Sequence, residues 1–261
     1  MASIHSNRGA KRAREARTEL GLGLDGPLGD LLEAVEGPGG AHVVVLDLGD
    51  GVAGAYLARA DRPLIFVNGR QGPVRQRFTL AHELGHHRLG HATVMDRPAA
   101  LSDYGHDPWE VEANAFAAEL LLPRAALKRW AAEKLEGQPS LEDVVRLAVE
   151  HGLSVQMVRY RLQTCGVLAV ARRCEKLDRE IAEGLHHEVA DHLGLEPFSD
   201  RLTVAAAHLP RIPPALRASP FGALLAGELD AEGLAIRTGQ DLAAVRRMLA
   251  NLGFDRLMAA V

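Results

Sequence analysis

Cysteine is nearly absent: the 261 residues hold two, Cys165 and Cys174, with no C-x-x-C spacing. Neither a disulfide framework nor a cysteine-based zinc site can organise such a chain, and free thiols are expected. Long apolar runs are missing too. No stretch approaches the roughly 20 residues of a bilayer span, and the basic N-terminus is not followed by an apolar signal segment, so a cytoplasmic protein with no membrane partner is expected. Excess positive charge is also lacking. A formal net charge of -4 argues against a surface given over to nucleic acid. The one strongly basic stretch is "RGAKRAREAR", with Arg8, Lys11, Arg12, Arg14 and Arg17, and it reads as a solvated helix face or frayed tail.

What is present is enough apolar material, 47% of the residues, for one sizeable core with helical appendages. Helices are expected at 8–20 and 27–35. The runs "HVVVLDL" (42–48), "GVAGAYLA" (51–58) and "RPLIFVN" (62–68) then read as strands of a small antiparallel sheet, which ends at Asn68 and Gly69. Pro73 suits the first turn of a helix running from Val74 to Leu89, with Gly90 placed to end it.

That helix carries "FTLAHELGHHRLGH". Residues four apart share a helical face, so His82 and His86 can aim imidazole nitrogens at one point, with Glu83 beside them as the base for a metal-activated water; this is the content of H-E-x-x-H. His87 and His91 repeat the spacing about 100° away and are expected at the surface for as long as the helix persists. A glycine at 89 and a histidine at 92 would be needed for the metzincin pattern, and Leu89 and Ala92 stand there.

A third ligand is expected from the next helix, "DPWEVEANAFAAELLLP" (107–123), whose apolar character implies burial, so that its polar residues need partners. Glu110 is the preferred ligand, with Asn114 orienting a metal-binding histidine. Two alternatives stand: Asp107-x-x-Glu110 is also a capping box, and Glu112 is the runner-up ligand, set aside because it shares a stripe with Glu119 that looks solvent-facing. Tyr104 and His106 are candidates for oxyanion stabilisation only by their position between the two helices.

The blocks "RQRFTLAHELGHHRLGH" and "WEVEANAFAAELLLP", in that order and preceded by "PLIFVNGR", resemble the ImmA/IrrE family of bacterial zinc metallopeptidases. The resemblance covers roughly residues 25–165. It implies a gluzincin-like fold, Zn²⁺ held by His82, His86 and Glu110, Glu83 as catalytic acid and base, and a helix-turn-helix transcriptional repressor as the protein substrate. Manganese is the alternative metal, because first-row affinities overlap.

Beyond the core, "SLEDVVRLAVEHGLSVQMVRYRLQTCGVL" (140–168) has helix-turn-helix spacing, with Gln156, Arg159, Tyr160 and Gln163 available to DNA. Val158, Arg159, Leu162 and Gly166 recur as Val245, Arg246, Leu249 and Gly253. Packing or substrate docking is the default role for both units, and DNA is the weaker candidate partner. In "LHHEVADHL", His187, Glu188, Asp191 and His192 suggest a solvated face rather than a second metal site. The expected architecture is α+β and mainly helical: a metallopeptidase-like domain over 1–135, a helix-turn-helix-like unit over 136–170 and a helical C-terminal domain over 171–261, the last holding none of the proposed ligands. Two other functions compete with the peptidase: a DNA-binding regulator on a non-catalytic peptidase-like core, and a toxin-antitoxin interaction module.

Overall fold

A computed structural model describes residues 3–23, 25–58, 62–92, 94–96, 107–251 and 254. The fold is α+β and mainly helical. Helix α1 (Ile4–Glu19) and the short α2 (Leu31–Glu36) lead into strands β1 (His42–Leu46), β2 (Gly54–Leu57) and β3 (Leu64–Asn68). Helix α3 (Pro73–Leu89), strand β4 (Val94–Asp96) and helix α4 (Pro108–Leu121) follow. The sheet order is β1-β3-β2-β4. It is mixed rather than purely antiparallel: β3 pairs antiparallel with β2 but parallel with β1, in the register His42↔Leu64 to Leu46↔Asn68. Asn68 makes this possible by pinning the crossover loop, its amide donating to Gly49 O and Val52 O and accepting from Leu48 N.

Both faces of the sheet are buried, which is why β1 and β3 read as continuous apolar runs. Side chains alternate along a strand. Val43, Val45, Ile65 and Val67 therefore join the core shared with α1 to α4, while Val44, Leu46, Leu64 and Phe66 face the other way. That second face is covered by the C-terminal helices α11 (Pro214–Arg217), α12 (Pro220–Leu225), α13 (Ala231–Thr238) and α14 (Leu242–Asn251), and Phe254 meets Phe66 edge to face at 5.0 Å. Arg211 caps the open edge of β1 by pairing with Val45.

The first core continues through α5 (Arg124–Lys134), α6 (Leu141–His151), α7 (Val155–Thr164), α8 (Ala171–Ala182), α9 (Leu185–His192) and α10 (Arg201–Ala206). Helices α6 and α7 form the expected pair, turning at Gly152 in the left-handed region (φ 64), with Ser154 capping α7 at Met157 N. The recurring Val158, Leu162, Val245 and Leu249 are all buried, so the similarity between the two units is that of one apolar stripe used twice. Gly253 lies outside the described residues. No helix among the described residues is long and apolar enough to cross a membrane.

The basic N-terminus is neither frayed nor simply solvated. Helix α1 packs along α4, burying Ala13, Ala16 and Arg17. Arg17 donates to the carbonyls of Leu120, Gly23 and Gly26, and burial lowers its pKa to about 10.

Candidate metal centre

Two helices build the site. Helix α3 starts at Pro73, whose missing N–H costs nothing in a first turn, and lies against β2 and β3. Helix α4 starts at Pro108 behind Asp107, which accepts from Trp109 N. Their packing brings His82, His86 and Glu110 together, with one potential ligand atom from each lying within 4.8 Å of the others. His82 Nε2 and His86 Nε2 are 3.0 Å apart, and the Glu110 carboxylate oxygens stand 3.3 Å from the first and 3.5 Å from the second. Both histidines are fully buried. Among the described residues the Asp107 side chain accepts from Trp109 N, and Glu110 points to the histidines.

The donor set fits a cation. His82 Nδ1 lies 3.0 Å from Asn114 Oδ1, an acceptor, so the ring proton sits on Nδ1 and the lone pair of Nε2 faces the cluster. Glu110 Oε2 is buried with no hydrogen bond among the described residues, although a protein-buried carboxylate oxygen normally has one. Two nitrogen ligands and one carboxylate are the protein share of an open zinc site. No other group of three or more potential ligands occurs among the described residues, and helix α9, which carries His187, Glu188, Asp191 and His192, buries none of its residues.

Glu83 is fully buried and lies against β2. Gly54 makes room for it: a Cβ added there would stand 2.5 Å from Glu83 Oε1 and 2.9 Å from Phe66 O. No feature of "GVAGAYLA" announces this close approach, because it is set by tertiary packing.

Three placements differ from the sequence reading. His91 is buried, not at the surface. The helix stops at Leu89, Gly90 takes φ 72, and the chain turns back so that His91 Nδ1 meets His86 Nδ1 at 2.8 Å. Glycine adopts that conformation at no steric cost. His87 is half-buried, 3.3 Å from the Tyr56 hydroxyl. Glu112 and Glu119 are buried as well. Glu112 bonds His91 Nε2 at 3.1 Å, His5 Nδ1 at 2.8 Å and Arg8 Nη1 at 2.5 Å, whereas Glu119 pairs with Arg14 at 3.3 Å and with Arg161. Burial acts to raise the Glu112 carboxyl, but the hydrogen bonds from His5, Arg8 and His91 outweigh it and hold the group below the usual carboxylate range. Burial pushes the His91 imidazole down, towards the neutral form, against the opposing pull of Glu112. Tyr104 and His106 lie outside the described residues.

A groove of about 1990 Å³ runs between α1, α4, α7 and α8 and reaches the cluster's flank at Asn114 and Phe78. Gln156 and Tyr160 of α7 line it, and Arg159, also in its wall, is tied to Asp178 of α8 at 2.5 Å. The exposed face of α7 thus borders the helix layer that holds His82, His86 and Glu110.

Residues 39–163, which hold this cluster, match a peptidase family model described as the IrrE N-terminal-like domain. Residues 39–163 are therefore similar to an IrrE N-terminal-like domain. They contain α3, α4 and the α6–α7 pair, and hence His82, Glu83, His86 and Glu110. A curated relative, uncharacterized immunity region protein 2 of Bacillus phage phi105, is 32% identical over 82 residues, which are 31% of this chain and 52% of the phage protein. The chain therefore spans about half the length of that relative. The IrrE N-terminal-like domain supports a metallopeptidase-like hydrolase core, and α1 and the C-terminal helices lie outside its limits.

Proposed function

We propose that this chain is a cytoplasmic zinc-dependent endopeptidase that cleaves a partner repressor of helix-turn-helix type and so regulates gene expression. The observation that carries the reading is the convergence of His82 Nε2, His86 Nε2 and the Glu110 carboxylate beside a buried Glu83. A groove large enough for an extended segment of another protein, and a relative named for a phage immunity region, support a protein substrate in a regulatory setting.

His82, His86 and Glu110 would hold the metal. When bound, zinc would polarise the scissile carbonyl and lower the pKa of an attacking water from about 15.7 towards about 7. Glu83 follows His82 on the helix, and its carboxylate takes the proton from that water and delivers it to the leaving amine nitrogen. Burial shields the carboxylate from bulk solvent, and Gly54 lets it sit against β2.

Incubating the full chain with the repressor encoded beside it, with zinc or with a chelator, and reading products by mass spectrometry tests the proposal. Zinc-dependent cleavage at one bond is expected. Glu83→Gln should keep its zinc and lose cleavage by about 10² to 10⁴-fold, the usual worth of general acid-base assistance. Wild-type cleavage by that variant would refute the assignment, and specific DNA retention without any cleavage would favour the regulator. Tight binding of a protein partner without cleavage would favour the toxin-antitoxin reading.

A further inference from the structure

We propose that Glu112 and His91 form a hydrogen-bonded relay that fixes the tautomer and ring orientation of His86, with helix α1 anchoring its far end. The proposal rests on the reading of His82, His86 and Glu110 as metal ligands. It makes His91 and Glu112 positioning residues, since both act through His86.

The direction of the relay follows from counting donors. A neutral imidazole carries one N–H and one lone pair, whereas a carboxylate only accepts. Glu112 already accepts from Arg8 Nη1 at 2.5 Å and lies 2.8 Å from His5 Nδ1, contacts that suit its ionised form. His91 Nε2, 3.1 Å from Glu112 Oε2, must then carry the His91 proton. His91 Nδ1 is left with its lone pair and meets His86 Nδ1 at 2.8 Å, so the hydrogen of that contact belongs to His86 Nδ1. His86 Nε2 is consequently unprotonated, and it is the atom that faces His82 Nε2 at 3.0 Å and Glu110. Reversing any one step would turn an N–H of His86 towards the metal position.

Two further contacts hold the relay in shape. Trp109 stacks on His91 with ring centroids 5.1 Å apart and planes inclined by 10°, which fixes the plane of the intermediate ring. Arg8 and His5 bring α1 onto the carboxylate from 104 and 107 residues away in the chain. The two ligating histidines are thus oriented by different devices. His82 leans on one amide of α4, Asn114, whereas His86 depends on a segment beyond Gly90, on α4 and on α1.

The test uses the full chain, stripped of metal and titrated with zinc against a chelator. His91→Phe keeps a ring for Trp109 to stack on but removes both nitrogens, and its zinc affinity should fall about 10 to 100-fold, the usual cost of losing such an outer partner. Glu112→Gln should fall by less, because an amide oxygen can still accept. His91→Asn, which can offer an oxygen to His86 Nδ1, should recover part of the loss relative to His91→Phe. Thermal unfolding of the metal-free proteins separates positioning from simple structural support: the affinities should differ among variants whose melting temperatures agree. Wild-type zinc affinity in both His91→Phe and Glu112→Gln would overturn the relay while leaving the metal site standing. Affinity losses that merely track melting temperature, with no recovery in His91→Asn, would overturn it too. Failure of the unaltered chain to take up zinc would instead remove the metal reading on which the relay depends.

Discussion

Helices α3 and α4 bury His82, Glu83, His86, Glu112, Asn114 and Glu119, whereas the neighbouring pair α6 and α7 buries Leu141, Val144, Leu147, Val158 and Leu162 with His151 as its one buried polar side chain. Both pairs are helix on helix, but different forces organise them. A buried polar group costs free energy unless it is paired, so the first pair is held to narrow geometry by directional contacts, each needing a particular partner. The second is held by apolar area, which tolerates many arrangements of similar volume. Polar burial therefore marks fixed geometry in this molecule, and a recurring apolar stripe marks packing.

The largest effect that could break this comparison is on stability. Leu162→Ala, at a fully buried position, should cost about 2 to 5 kcal/mol in denaturant unfolding. Zinc retention should be unchanged wherever the variant is still folded; metal loss from the folded variant would mean that the two layers are coupled. Next comes Gly54→Ala. Its Cβ would meet Glu83 Oε1 and Phe66 O inside contact distance, and a displacement of about 1 Å at a reacting group can cost about 10²-fold in rate. Zinc content should persist while cleavage collapses, and an unimpaired rate would show that Glu83 need not lie against β2. The smallest effect concerns His151, whose Nδ1 is 3.2 Å from Leu121 O and whose pKa burial pushes down, with the carbonyl partly opposing. The folded pKa lies below the unfolded value of about 6.5, so this contribution is intact above about pH 6.5 and is lost as the pH falls below it, with a slope of at most about 1.4 kcal/mol per pH unit. His151→Asn, which keeps a neutral donor, should flatten the acid limb of the stability profile measured by urea unfolding. An unchanged profile would mean that other buried groups set it.

Local signals are legible in this sequence, and long-range ones are not. Pro73, Gly90, Asp107 and Pro108 bound the two site helices within a residue or so, and the four-residue spacing of His82 and His86 delivered both to one point. The same spacing misled for His87 and His91, because it holds only while the helix continues. Gly90 ends it, and the position after a left-handed glycine follows no helical face. Glu112 and Glu119 read as a solvent stripe in the sequence because their partners, Arg8 and Arg14, stand 104 and 105 residues earlier. The basic stretch and the acidic stripe are two sides of one interface, and neither is interpretable alone. The parallel pairing of β1 with β3 left no local trace either, since strands buried on both faces lose the alternation that reveals register and neighbours.

The anchoring of α1 on α4 bears on what can be inherited or transplanted. Residues 39–163 carry the whole proposed ligand set, yet a fragment cut at those limits would hold Glu112 without Arg8 and His5, and Glu119 with Arg161 but without Arg14. Its sheet would also show Val44, Leu46 and Phe66 to water where the C-terminal helices now sit. The matched segment thus lacks partners that its own buried groups use here, and grafting it onto another protein would require the host to supply a cationic helix on one side and an apolar lid on the other.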